Sequence, residues 1–228
     1  MRVTSLALLA SALLVSACSD AGRIGEPVTG RLSWLAYLGG EDIRDSCKPG
    51  SPARYRFVYN AVLDVQIRSY DLVRTETGAT LQVRVPHPGF ALVDVRTASA
   101  NMFAPVRDAR STLDAASYRA IARQLEDDGF GAPTLTGRNF SSWDYYWIVS
   151  ACAEGRFHIN GWHNGSPGFA ALRFPALLYA QDRTEIPVNP VSPNVYADHL
   201  TRMRNGAADL NFDVQLAPGG LRHQLRPF

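Results

Sequence analysis

Between residues 54 and 95 apolar and polar side chains alternate with the two-residue period of a strand. Tyr55, Phe57 and Tyr59 share one face of a first segment, residues 54–60, opposite Arg54 and Arg56. A longer, less regular run follows at residues 65–75, and Glu76-Thr77-Gly78 can close a three-residue hairpin loop. Leu81, Val83 and Val85 then face together, with Gln82 and Arg84 opposite. After the turn Pro86-His87-Pro88-Gly89, residues 90–95 read as a fourth strand. Connections this short cannot make parallel crossovers, so the pattern predicts an antiparallel meander.

A helical period takes over at residues 115–128. Asp114 is a suitable N-cap, Leu113 can staple onto Tyr118, and Gly129 can end the last turn. Tyr118, Ile121, Ala122 and Leu125 form its apolar stripe. A long hairpin comes next: residues 143–152 outward, Ala153-Glu154-Gly155 as the loop, residues 156–162 back. Residues 32–38 can be strand or short helix, and residues 174–179, with Pro175, an edge strand or short helix. Residues 186–193 are Pro-rich and extended, and Ser192-Pro193 can open a helix reaching Asn205. Residues 210–216 alternate as a half-buried strand. The expected class is α+β: a largely antiparallel sheet with one or two helices packed on it.

The first residues form no part of that fold. Arg2 precedes an apolar run from Leu6 to Val15, which is shorter than the ~20 residues needed to span a bilayer. Leu14-Val15-Ser16-Ala17-Cys18 follows. This segment resembles the lipobox of bacterial lipoprotein precursors, over the first 19 residues only. The resemblance implies a cleaved signal peptide at residues 1–17, diacylglycerol and further acyl groups such as palmitate at Cys18, and a place in the cell envelope. Ser19 after the cysteine implies the outer membrane where the host has one. Residues 18–29 then read as a lipidated tether and residues 30–228 as one globular domain.

Composition sharpens this only in places. Beyond Arg2 there are 22 basic residues, of which Lys48 alone is not Arg, and 21 acidic ones. That balance does not suggest nucleic acid. With Cys18 lipidated, Cys47 and Cys152 remain, and an even pair in an oxidising compartment predicts one disulfide. Asn139-Phe140-Ser141 and Asn164-Gly165-Ser166 match glycosylation acceptors but carry no weight in a bacterial host.

Candidate chemistry concentrates on the long hairpin. A three-residue loop makes Ser150 a cross-strand neighbour of His158, and a serine beside a histidine can be a nucleophile and its base. No third member and no nucleophile elbow accompany them: Asn164 stands where the first Gly of G-x-S-x-G belongs. The same register places Trp143, Tyr145, Trp147, Val149, Phe157 and Ile159 on a core face. It places Tyr146, Ser150, Cys152, Arg156, His158, Asn160 and Trp162 on a mixed face, where Tyr146 and Trp162 could stack on a sugar ring. Arg68, Arg74 and Arg84 are expected opposite the Leu81/Val83/Val85 side, as a row that could meet phosphates or form a solvated face. His87, His158, His163, His199 and His223 show no zinc spacing, and no cofactor fingerprint is present, so neither metal nor cofactor is expected. The leading expectation is a non-catalytic envelope protein held to a membrane and binding a partner or polymer. The alternatives are a periplasmic hydrolase using Ser150 and His158, and a carbohydrate or small-ligand module on the aromatic hairpin.

Overall fold

The structure, a computed structural model, describes residues 34–63, 65–86, 105–205 and 212–224. Its class is α+β. Residues 34–38 form α1, followed by α2 (Glu41–Ser46), β1 (Arg54–Ala61), β2 (Gln66–Arg74), β3 (Gly78–Pro86), β4 (Pro105–Asp114) and α3 (Ala115–Asp127). Then come β5 (Asn139–Ser141), β6 (Tyr145–Ala153), β7 (Arg156–His163), α4 (Phe174–Gln181), α5 (Val195–Arg204), β8 (Asp213–Ala217) and β9 (Gly220–Gln224). Six strands form one antiparallel sheet in the order β4-β3-β2-β1-β6-β7, and β5-β8-β9 form a second, smaller one. The expected meander is there, with β4 as the partner of β3; residues 90–95, His87, Cys18 and the lipobox lie outside the described residues.

Both faces of the large sheet are covered. On one face Phe57, Tyr59, Tyr70, Leu81, Trp147 and Val149 pack under α3 and α4. On the other, Val58, Ile67, Tyr146, Ile148 and Ile159 pack with α1 and with Phe140, Val214 and Leu216 of the small sheet. This second layer explains why β6 is buried at every position from Tyr145 to Cys152. A strand enclosed on both sides loses the polar face that alternation relies on.

The helices form where local chemistry favours them. Asp114 caps α3 by accepting from the Ser117 N–H at 2.7 Å, and Ile121 and Leu125 are buried beneath it. Residues 174–179 are helix rather than edge strand, because Pro175 sits in the first turn, where its missing N–H costs nothing. Residues 34–38 likewise are helix.

The hairpin between β6 and β7 departs from its expected geometry. Its loop is two residues, Glu154 and Gly155, with φ of 53° and 72°, the left-handed pair of a type I′ turn. Ala153 therefore faces Arg156, and every pairing moves by one: Cys152 with Phe157, Ala151 with His158, Ser150 with Ile159. A one-residue change of register sends each side chain of the return strand to the other face. Phe157 and Ile159 thus join Tyr146 and Ile148, while His158, Asn160 and Trp162 join Trp147 and Val149.

Cys47 and Cys152 are joined by a disulfide with Cα atoms 5.6 Å apart, bridging a separation of 105 residues. It ties the end of α2 to the end of β6. Beside it, a Cβ on Gly155 would lie 2.6 Å from the Pro49 nitrogen, so the hairpin tip is fitted closely against the 48–50 loop.

Candidate ligand-binding trough

The side chains singled out in the sequence are dispersed by the sheet. Ser150 and His158 point to opposite faces, so the proposed nucleophile–base pair is not formed. Ser150 is 1% exposed, and its Oγ has no hydrogen-bond partner. It lies under Gly40, whose left-handed φ of 65° leaves no side chain there; a Cβ would fall 2.3 Å from that oxygen. Tyr146 is fully buried, edge-on to Phe140, with its hydroxyl unpartnered. Trp162 is on the opposite face from Tyr146, half-buried against Phe174. Neither aromatic offers an open stacking platform.

The arginines are divided as well, Arg68 and Arg74 on one face and Arg84 on the other. Arg68 is on the Leu81 side of the sheet, not opposite it, because it is in phase with Tyr70 and Leu72. It is fully buried, paired to Asp182, and also donates to the Ile186 carbonyl at 2.6 Å. Burial works against an ionised Asp182, but the Thr184 hydroxyl and amide and the Arg68 guanidinium hold it below the usual carboxylate range. Arg74 shares that face and lies 6.0 Å over the Tyr118 ring. Arg84 is on the other face, where it joins a compact charge cluster. Arg56, 2% exposed, donates to Asp71 at 3.0 Å and to both oxygens of Asp42 at 2.7 and 3.0 Å, and Arg84 reaches Asp71 at 2.8 Å. Tyr37 closes the cluster: its ring lies 3.7 Å from the Arg56 guanidinium and its hydroxyl donates to Asp71 at 3.0 Å. Burial, with the Asp71 carboxylate beside it, pushes the Tyr37 hydroxyl up to about 12. Arg54 and Arg56 hold Asp42 below its ordinary value in spite of burial. With Asp108 3.9 Å from Arg84, three arginines meet three aspartates, which makes the cluster a joint between the α1–α2 segment and the sheet rather than a phosphate-binding row.

A concave surface lined by described residues lies elsewhere, beside the hairpin tip. Two adjoining depressions of about 650 and 610 Å³ share Tyr55, Ala153 and Glu154. They form one trough between α3 and the ends of β1, β6 and β7. Its floor is low because Ala53, Ala151 and Ala153 leave space where larger side chains fill the rest of that face. Tyr118 and Glu126, two turns apart, supply the helical wall, and Arg156 and His158 the opposite one. Arg74 and Glu76 close one end. Burial, with Tyr118 and Glu126 nearby, raises the Tyr55 hydroxyl well above its ordinary value. His158 Nε2 donates to the Phe130 carbonyl at 2.7 Å, which fixes the ring's orientation against the loop after α3. The trough has hydrogen-bonding groups of both kinds.

Of the trough, Arg74, Arg156 and His158 stood out in the sequence as candidate chemistry, each expected on a different face. The alanines that create the depression gave no signal: a small residue marks a hollow only when the elements around it are known. Of the other histidines, His163 accepts from Arg138 at Nε2 and donates from Nδ1 to the Asn164 carbonyl, and His199 stacks on Trp143. No cluster of three metal-ligating side chains occurs among the described residues. Compared with family models, with curated proteins and with solved structures, the chain matches none.

Proposed function

We propose that the chain is an exported, lipid-anchored protein of the cell envelope whose globular part binds or supports rather than catalyses. The observation that carries this reading is the allocation of the three cysteines. Cys47 and Cys152 are joined in a disulfide, a bond that persists outside the reducing cytosol, and the one cysteine left is Cys18, at the end of Leu14-Val15-Ser16-Ala17-Cys18. Two or three acyl chains on that sulfur and the new amino terminus would make attachment effectively permanent, since each buried methylene contributes about 0.8 kcal/mol. In the native host, palmitate should label the protein and the label should vanish in Cys18→Ala. Undiminished labelling of that variant, or recovery of unmodified protein from the cytoplasm, overturns the proposal.

A second reading concerns what the domain binds. The trough is within the size range of small-ligand sites, and its mixture of Arg74, Arg156, Glu126 and phenols suits a polar or sugar-like molecule. Binding of envelope glycan fragments should broaden or shift the NMR signals of His158 and weaken at least tenfold in Glu126→Ala. Shifts confined to other faces refute it.

A further inference from the structure

We infer that the end of the molecule formed by the β1–β2 turn, residues 187–191 and α5 rests on the bilayer interface. This rests on the lipid-anchor reading above. Four large hydrophobic side chains stand out as exposed among the described residues: Val65 at 37%, Val191 at 40%, Tyr196 at 63% and Leu200 at 37%. All four belong to one end. Val65 closes the turn into β2, and Gln66 there donates to the Pro187 carbonyl at 3.0 Å and accepts from the Asn189 N–H at 3.0 Å. That lays the segment leading to Val191 against the turn. Leu63 N–H donates to the Ser142 carbonyl at 2.8 Å, which brings Trp143 to the same end. Trp143 stacks on His199 at 4.8 Å and meets Tyr196 edge-on at 6.2 Å.

Helix α5 has no buried residue. Val195, His199 and Arg202 turn inward, partly covered, whereas Tyr196, Leu200 and Arg204 are exposed at successive four-residue steps. An outward stripe that begins with an aromatic and ends with an arginine matches the headgroup region, where Tyr and Trp settle and Arg extends its stem to the surface. Four partly covered side chains fall well short of the roughly 800 Å² per partner that a stable protein complex buries. A surface already tethered needs little affinity of its own, because the tether supplies a high effective concentration. The chain between Cys18 and Trp34 can extend to at most roughly 58 Å at 3.6 Å per residue. It enters the fold at Trp34, in the buried cluster that also holds Leu63 of the turn and Ile67. A tether of that reach lets the patch meet the bilayer that holds the anchor.

The test uses the mature chain from Cys18, made without lipid. With Cys47 and Cys152 oxidised, Cys18 is its one thiol and can be coupled to a maleimide lipid in phosphatidylethanolamine–phosphatidylglycerol vesicles. Bilayer lipids brominated near the headgroup should then quench tryptophan emission. Trp143→Phe should remove most of the quenching, and Tyr196→Ser/Leu200→Ser at least half, with circular dichroism unchanged because both side chains are exposed; Val191→Ser gives an independent second variant. No quenching in the parent chain, or quenching indifferent to these changes, overturns the inference. So does a dimer of the untethered chain, seen by sedimentation and lost in the double variant, which would assign the patch to a second copy. Because the coupling is chemical, failure here leaves the palmitate result standing, and failure of palmitate labelling in the host leaves this result readable.

Discussion

Buried polar atoms without partners give the sharpest expectations at the scale of single residues. Ser150 Oγ and the Tyr146 hydroxyl are enclosed and unpaired. An unsatisfied buried hydroxyl costs roughly 1–3 kcal/mol, so removing it is neutral or stabilising. Ser150→Ala and Tyr146→Phe should therefore leave the urea midpoint unchanged or raise it; a loss of more than about 1 kcal/mol would show that these hydroxyls have partners after all. Arg68 and Asp182 behave in the opposite way. Removing either leaves a buried charge alone, which costs about 3–5 kcal/mol, and Arg68→Ala should show that loss. The acid limb follows from Asp182 as well. Its folded pKa lies below the unfolded value of about 3.9, so its contribution is complete above that value and disappears as pH falls through the lower folded pKa. Asp182→Asn should therefore be less stable at neutral pH and lose stability less steeply below about pH 4. An unchanged acid limb would separate Asp182 from acid unfolding.

At the scale of elements, the α3 cap and the hairpin turn contrast in how they could be read. Asp114, Leu113 and the Tyr118/Ile121/Leu125 stripe lie next to one another in the chain, and the helix begins at Ala115 as expected. The β6–β7 turn is different, because Ala-Glu-Gly fits a three-residue loop with Gly last as well as a two-residue turn. Packing decides between them. The two-residue register buries Ile159 with Tyr146 and Ile148 under the small sheet, and puts Gly161 where a Cβ would lie 2.8 Å from the Trp147 carbonyl. Gly155 is needed twice over, for its φ of 72° and for its approach to Pro49. Gly155→Ala should lower stability by about 1–3 kcal/mol through overpacking and left-handed strain, measurable by thermal melting. No loss would place the 48–50 loop away from the turn.

For the molecule as a whole, the disulfide holds the layers together. It joins the α1–α2 layer to a central strand across 105 residues, and loop entropy of that length amounts to about 4–5 kcal/mol. Cys47→Ser/Cys152→Ser should lose about 2–5 kcal/mol. Thiol titration of the unfolded, unreduced mature chain should find neither cysteine free; two free thiols would remove the bridge.

What the chain determines by itself is local or chemical: the meander, whose short connections exclude crossovers; the capped helix; and the pairing of Cys47 with Cys152, which parity predicts when Cys18 is read as lipidated. The face of each hairpin residue was decided only by the tertiary structure, since a shift of one position reverses it and only the second layer penalises the wrong choice. The same layer turned Arg56 and Ser150 from surface residues into interior ones. The trough beside Tyr55 exists because α3 spans Ala151 and Ala153 of β6 and Ala53 at the entry to β1, a juxtaposition that spacing along the chain does not encode.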